Sequence, residues 1–458
     1  MSSTPKFPPA LLHGALTGAA TGLLFGFDTA VIAGSTALLT QQFHLSQHAL
    51  GFTVSIALWG TVLGSLLAGK LAQQFGGRFS LRLLAVLYLV SALGCALSPS
   101  WGWLLFSRFI GGLGIGGSSV VGPVYVAELA PARWRGRMVG MFQVNIVLGV
   151  LLAYFSNYCL ERTHLPFALW RWQLGVAFVP ATILLLLLIR IPESPRWLVT
   201  RGRDSEALES LNLLDLPSAN TELADIRRSF AEEQEQHRTP LFTRALLRPL
   251  LLAIALGALN QLSGINAILY YLNDLFAAAG YSRLSASSLS VTVGAMNLVA
   301  TIGAISIIDR VGRRPLLLIG SVGTALSLSL IAWMFYSKEH VGALVWLLAA
   351  YMIFFDISQG AVIWVYISEI FPNATRTRGQ SVGTTTHWIM NALIAGAFPV
   401  LAIRGIWVPF AAFSSMMAIQ LIVVWLFLPE TRGLTLEQVT NLFSAQAPGK
   451  RRNLGSKR

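Results

Sequence analysis

The chain has 458 residues, of which 54% are hydrophobic and only 12% charged, with a formal net charge of +13 at pH 7. Soluble domains carry about 25% charged residues, so this inventory cannot build a water-facing exterior for a chain of this length. The positive surplus is mostly arginine beside apolar runs, not a basic stripe with interleaved aromatics, which excludes nucleic acid as a partner and indicates a polytopic membrane protein.

A helix crossing the hydrocarbon core needs about 20 apolar residues. In chain order, the segments that qualify as spans 1 to 6 run over 12–35, 49–71, 80–98, 101–126, 138–160 and 171–191. Spans 7 to 12 follow over 249–277, 286–308, 315–336, 342–367, 379–402 and 406–428. These segments are too long for membrane strands and lack period-two alternation. Span 1 follows a single lysine, Lys6, and contains Asp28, so it reads as a retained span and not a cleaved signal. Cys95 and Cys159 both lie in apolar runs and read as small packing residues.

With a cytoplasmic N-terminus, only Arg162, Arg171, Arg283, Lys338 and Arg404 face outward. Arg108 lies inside a span, so 27 of the 33 basic residues face the cytoplasm. The positive-inside rule selects this orientation, and an even number of spans puts both termini inside. Residues 192–248 form the one soluble-looking piece, with ten of the 20 acids and eight arginines. Leu208, Leu211 and Leu214 beside Glu206 and Glu209 suggest short amphipathic helices on the cytoplasmic face. The expected organisation is a bundle over 1–191, a helical linker over 192–248, a second bundle over 249–428 and a basic cytoplasmic tail over 429–458.

The halves echo each other. "AELAPARWRGR" (127–137) matches "SEIFPNATRTRG" (368–379), with Glu128 and Arg135 in the first and Glu369 and Arg376 in the second, 241 residues apart. "QQFGGR" (73–78) precedes "DRVGRR" (309–314) by 236 residues, and "PESPR" at 192 precedes "PETRG" at 429 by 237. A duplicated six-span unit is a common build of secondary transporters, with substrate held between the halves. The acids and arginines of these motifs, Glu128, Arg135, Asp309, Arg310, Arg313, Arg314, Glu369 and Arg376, flank cytoplasmic span ends. They read as an inner gate of inter-helix ion pairs that exchange partners when the halves rock. Topological anchoring alone would leave the acids without a purpose.

"GLLFGFDTAVIAG" (22–34), "SRFIGGLGIG" (107–116), "PVYVAELAPARWRGR" (123–137), "PESPRWL" (192–198), "NQLSGINAILYY" (260–271), "DRVGRR" and "PETRG" together resemble the sugar porter family of the major facilitator superfamily. The resemblance covers essentially the whole chain. It implies an all-α membrane protein of twelve transmembrane helices in two six-helix bundles, the major facilitator fold, with a short cytoplasmic helical insert. It further implies monosaccharide transport by alternating access, without enzymatic activity.

Buried polar side chains are costly in a bilayer, so each needs a partner or a purpose. Asp28 sits inside span 1, where an ionised carboxylate costs about 2.5–3.5 kcal/mol on insertion scales. Arg108 in span 4 is its obvious compensation. Protonating Asp28 would free Arg108, as a proton-coupled switch requires; a static ion pair is the other reading. Bacterial proton-linked xylose and glucose symporters of the family carry aspartate at this position, whereas animal facilitative carriers mostly carry asparagine, so the resemblance favours coupling. Carboxamides match sugar hydroxyls as donors and acceptors. By resemblance, Gln143 on span 5, Asn260, Gln261 and Asn266 on span 7 and Asn297 on span 8 line the sugar site. The resemblance also brings Trp364 to the sugar as an aromatic face, with Trp388 beside it, and makes Tyr270 and Tyr271 outer-gate aromatics.

The departures are specific. Asn260 is shorter by one methylene than the family's first glutamine. Span 10 reads "SQGAVIW" (358–364) without the family's prolines, so it should be less broken. His387 replaces an amide, as a hydroxyl ligand, a second pH-sensitive group or a hydrogen-bonded structural residue. Gln73, Gln74 and Gly77 replace charges in the first gate loop, while "DRVGRR" is intact.

The expected function is import of a hexose or pentose with a proton, by a monomer in the cell (inner) membrane. Its partners are then the sugar, the proton and the lipid bilayer, with no cofactor and no metal. A uniporter on the same scaffold and a non-transporting sugar sensor are the alternatives. "GGLGIGG" (111–117) follows no strand and lies in an apolar span, so close helix packing accounts for it.

Overall fold

The computed structural model describes residues 9–129, 135–163, 165, 167–214, 219–236, 240–244, 246–372, 375–433 and 438. Among them are twelve helices long and apolar enough to cross a membrane. Spans 1 to 6 are Leu16–Gly34, Gln47–Phe75, Gly77–Ala96, Trp101–Leu129, Gly140–Glu161 and Leu169–Arg190. Spans 7 to 12 are Leu247–Tyr270, Arg283–Ala304, Arg313–Ser337, Val341–Glu369, Arg376–Ala402 and Trp407–Phe427. Each falls on its expected segment, and no strand occurs among the described residues. Helix is the enforced solution, because hydrocarbon offers no water to an unpaired backbone amide.

The glycine stretch 111–117 packs as expected. A Cβ on Gly112 would lie 1.9 Å from the Ala57 carbonyl oxygen, and one on Gly116 would lie 2.1 Å from that of Thr61. Spans 2 and 4 therefore meet backbone to backbone, a contact only small residues allow. Cys95 is buried, whereas Cys159 is exposed and fills no interior space.

The duplication reappears in the bonds at the helix starts. Gly76 and Gly312 both have positive φ, +88° and +106°, and each opens the turn into spans 3 and 9. Glu193 Oε1 accepts from the Arg78 amide at 3.0 Å, and Glu430 accepts from the Arg313 and Arg314 amides at 3.1 and 3.0 Å. A carboxylate thus caps each helix N-terminus, where the exposed amides favour negative charge. Tyr125 donates to the Pro192 carbonyl at 2.7 Å, and Tyr366 to that of Pro429 at 3.1 Å. Both halves fasten their end motifs identically.

Two spans are interrupted. Span 7 breaks at Ser263–Gly264, where Gly264 adopts φ +85° against the Phe413 ring. Helix resumes over Ile265–Tyr270 and again over Leu272–Ala278. Span 10 differs from expectation. A five-residue π segment, Asp356–Gly360, interrupts it without any proline. A π segment inserts an extra residue into the turn, so a proline is not needed to disturb the regular ladder.

The insert forms the helices Pro195–Thr200, Asp204–Leu213 and Ala219–Gln236. They share an apolar cluster of Leu198, Ala207, Leu211, Leu223 and Ile226. Arg203 donates to Glu206 and holds that exposed carboxyl below its ordinary value. Trp197 and Arg201 donate to the Gln73 carbonyl, each at 2.9 Å. The first loop, with Gln73, Gln74 and Gly77 in place of charges, therefore binds the insert through a backbone carbonyl beside the 3.9 Å pair of Arg78 with Glu193.

Candidate functional site

Asp28 and Arg108 meet as expected. Arg108 Nη1 lies 3.6 Å from Asp28 Oδ2, and the two residues are only 4% and 8% exposed. That distance balances charge without a hydrogen bond, and Asp28 Oδ2 and Arg108 Nε have no hydrogen-bond partner. Ser91 of span 3 and Gly111 of span 4 flank the carboxylate.

A second polar group is built on the broken span 7. Gln261 Nε2 donates to Asn260 Oδ1 at 3.0 Å, and Asn266 Nδ2 donates to Gln261 Oε1 at 3.0 Å. The break at Gly264 folds residue 266 back onto residue 261, so the two carboxamides touch. Gln261 Nε2 also lies 3.1 Å from Nε2 and 3.2 Å from Nδ1 of His387. The His387 ring sits edge-on to Trp364 and to Trp388, with centroids 4.9 and 5.1 Å away. Phe25 of span 1 reaches Trp388 at 5.5 Å, which closes the cluster from the other half. Asn260, Gln261, Asn266, Trp364, His387 and Trp388 thus form one group, with Trp364 and Asn266 half-buried and the rest buried.

Two expected ligands stand apart. Gln143 is half-buried on span 5. Asn297 is buried on span 8, and its Oδ1 accepts from the Thr301 hydroxyl at 3.5 Å. Tyr270 and Tyr271 are buried at 3% and 2% exposure. Tyr270 exchanges hydrogen bonds with Asn391 at 3.3–3.4 Å, and Tyr271 donates to the Ala395 carbonyl at 3.0 Å and stacks on Phe398.

The halves are pressed together at the end bearing the 1–2, 5–6 and 7–8 connections. Gly51 of span 2 abuts the Gly396 backbone of span 11. Tyr154 of span 5 donates to the Leu269 carbonyl at 2.8 Å. Arg283 Nε lies 3.1 Å from Glu161 Oε1, a pair between spans 8 and 5 in which half-buried Glu161 keeps its side chain only 3% exposed. At the opposite end, Arg313 donates to Glu369 Oε1 at 3.0 Å, and Thr431 donates to Glu369 Oε2 at 2.6 Å. This pair joins spans 9 and 10 of the same half. Arg314 donates to the Trp425 carbonyl at 2.8 Å, Arg310 is exposed, and Glu128 and Arg376 are half-buried. The side chains of Arg135 and Asp309 lie outside the described residues.

Sequence reasoning overlooked Asn391, Asp356, Glu193, Glu430 and the Glu161–Arg283 pair. The two glutamates had a signal: "PES" and "PET" are displaced by 237 residues and the gate loops by 236, and motifs that move together in a duplication touch in both copies.

Twelve spans in two duplicated halves, with polar side chains buried along their contact, are the architecture of a major facilitator transporter, not an enzyme. The Sugar (and other) transporter family matches residues 14–443, and the chain belongs to that family. A D-xylose transporter of Levilactobacillus brevis is 35% identical over 391 residues, covering 84% of this chain and 85% of the relative. A D-xylose-proton symporter of Escherichia coli is 32% identical over 466 residues, covering 93% and 94%. The partially occluded inward-open structure of the xylose transporter XylE from E. coli superposes with a TM-score of 0.83 at 31% identity, covering 93% of this chain and 99% of that one.

Proposed function

We propose that the protein is a proton-coupled monosaccharide symporter that imports a hexose or pentose by alternating access. The observation that carries this reading is the buried Asp28–Arg108 pair, balanced at 3.6 Å with an unpartnered carboxylate oxygen. A proton on Asp28 cancels the charge that holds Arg108, so the pair has two states with different contacts between spans 1 and 4. The proton-linked xylose relative supports the same reading.

The sugar lies against the carboxamides Asn260, Gln261 and Asn266, with Gln143 and Asn297 completing the ring from spans 5 and 8. Trp364 offers its face to the sugar's apolar C–H surface, and His387 and Trp388 support it. Tyr270 and Tyr271 close the outer side. Glu128, Arg135, Asp309, Arg310, Arg313, Arg314, Glu369 and Arg376 form the inner gate.

The pressed-together end is then the outer one, and the state is inward-facing, in keeping with the similarity to an inward-open structure. Both termini are cytoplasmic, and the units are 1–191, 192–248, 249–428 and 429–458. The protein works as a monomer in the bacterial inner membrane.

The test is uptake into proteoliposomes with a panel of radiolabelled hexoses and pentoses. Asp28→Asn is expected to abolish accumulation of the accepted sugar against its gradient and to leave exchange intact. Undiminished accumulation by this variant would sink the assignment.

A further inference from the structure

The C-terminal half holds a carboxyl that this account leaves idle. Asp356 opens the π segment of span 10, is 8% exposed, and its Oδ2 has no hydrogen-bond partner. Among the described residues, the Thr301 hydroxyl of span 8 is its hydrogen-bonding neighbour. The π segment packs against spans 8 and 9 and the flanking turns of span 10, and Gln359 reaches Met417 of span 12. Among the described residues of these elements, Tyr351 is the titratable group that acts on Asp356, and its hydroxyl donates to the Ser263 carbonyl at 3.0 Å. Among the described residues, the charged side chains of the same elements stand at their ends: Arg283 and Arg310 on span 8, Arg313 and Arg314 on span 9, Glu369 on span 10. Among the described residues no cationic side chain pairs with Asp356.

Asp28 has Arg108 to balance it; Asp356 has only a hydroxyl. An ionised carboxylate in hydrocarbon without a cation is far costlier than the neutral acid, and π segments recur at functional positions in helices. We propose that Asp356 is a second proton-binding site, in the half opposite Asp28, occupied in the conformation described.

The proton has a consequence for its neighbours. Thr301 has one proton to donate. An ionised Asp356 claims it, whereas a neutral Asp356 can donate to Thr301 and release that proton to Asn297 Oδ1, the 3.5 Å contact observed. The link to sugar rests on Asn297 being a ligand, as proposed above; the proton site itself does not.

The test is infrared spectroscopy of the full-length protein in proteoliposomes at neutral pH, read at the C=O stretch of protonated carboxyl groups. Asp356→Asn is expected to remove one band that Asp28→Asn retains. Thr301→Val, which alters the hydrogen bond without touching the carboxyl, is expected to shift that band and covers the case in which Asp356→Asn does not fold. No band lost in Asp356→Asn, or none shifted in Thr301→Val, would mean an ionised Asp356 and overturn the proposal. Because no sugar is added, the outcome is independent of the symport reading.

Discussion

A guanidinium and a carboxylate 3.6 Å apart attract one another strongly in a bilayer interior, yet they lack the hydrogen bonds that would lock them. Removing one partner of a buried pair costs roughly 3–5 kcal/mol, so the pair adds stability while remaining poised. The carboxamide group is tied differently: Gln261 contacts Asn260, Asn266 and His387 at once. Gln261→Leu keeps the volume but strands Asn266 Nδ2 and the imidazole. An unsatisfied buried partner costs about 1–3 kcal/mol, which converts to an apparent sugar affinity lower by roughly 5- to 150-fold. Measured sugar binding within twofold of the parent would contradict that role. Asp28 and Arg108 were legible in the sequence because opposite charges stand out in apolar runs and compensate each other. Asp356 stands in an equally apolar run, but its neighbours Thr301 and Tyr351 are uncharged, so no complementary residue pointed to it. Asn391 lies one turn beyond His387 and meets Tyr270 only through tertiary packing.

At the scale of elements, the positions of the helices followed from length and hydropathy, while their irregularities did not. The span 7 break needs Gly264 at φ +85° and the Phe413 ring from span 12. The π segment of span 10 arises where Gly320 and Gly323 of span 9 let Ser358 and Phe354 approach closely, which is information held on another helix. The pressed end is held by Arg283 on half-buried Glu161, itself approached by Gln173 at 3.5 Å. Arg283→Ala leaves that carboxylate uncompensated whenever the end is closed, so it should favour opening there. Spin labels at positions 47 and 403, at the ends of spans 2 and 11, are expected to report a larger long-distance population than in the parent. An unchanged distance distribution would remove this ion pair from the gate.

At the scale of the whole molecule, the duplication gives each half its own internal fastening, as the proposed rocking of two units requires. Each fastens its own end motifs through a glutamate at a helix start and a tyrosine on a proline carbonyl. Among the described residues, the bonds between halves named above, Tyr154 to the Leu269 carbonyl and Arg283 to Glu161, lie at one end. The halves also differ: Gly77 stands where the second half has Arg313 bound to Glu369, and Asp28 in the first half has its arginine, whereas among the described residues no cation pairs with Asp356 in the second. The central claim is that a proton moves with the sugar. Adding the accepted sugar outside proteoliposomes, with the external pH recorded in weak buffer, tests it directly. The account predicts external alkalinisation that follows sugar entry and is absent in Asp28→Asn; sugar entry with no proton movement would contradict it.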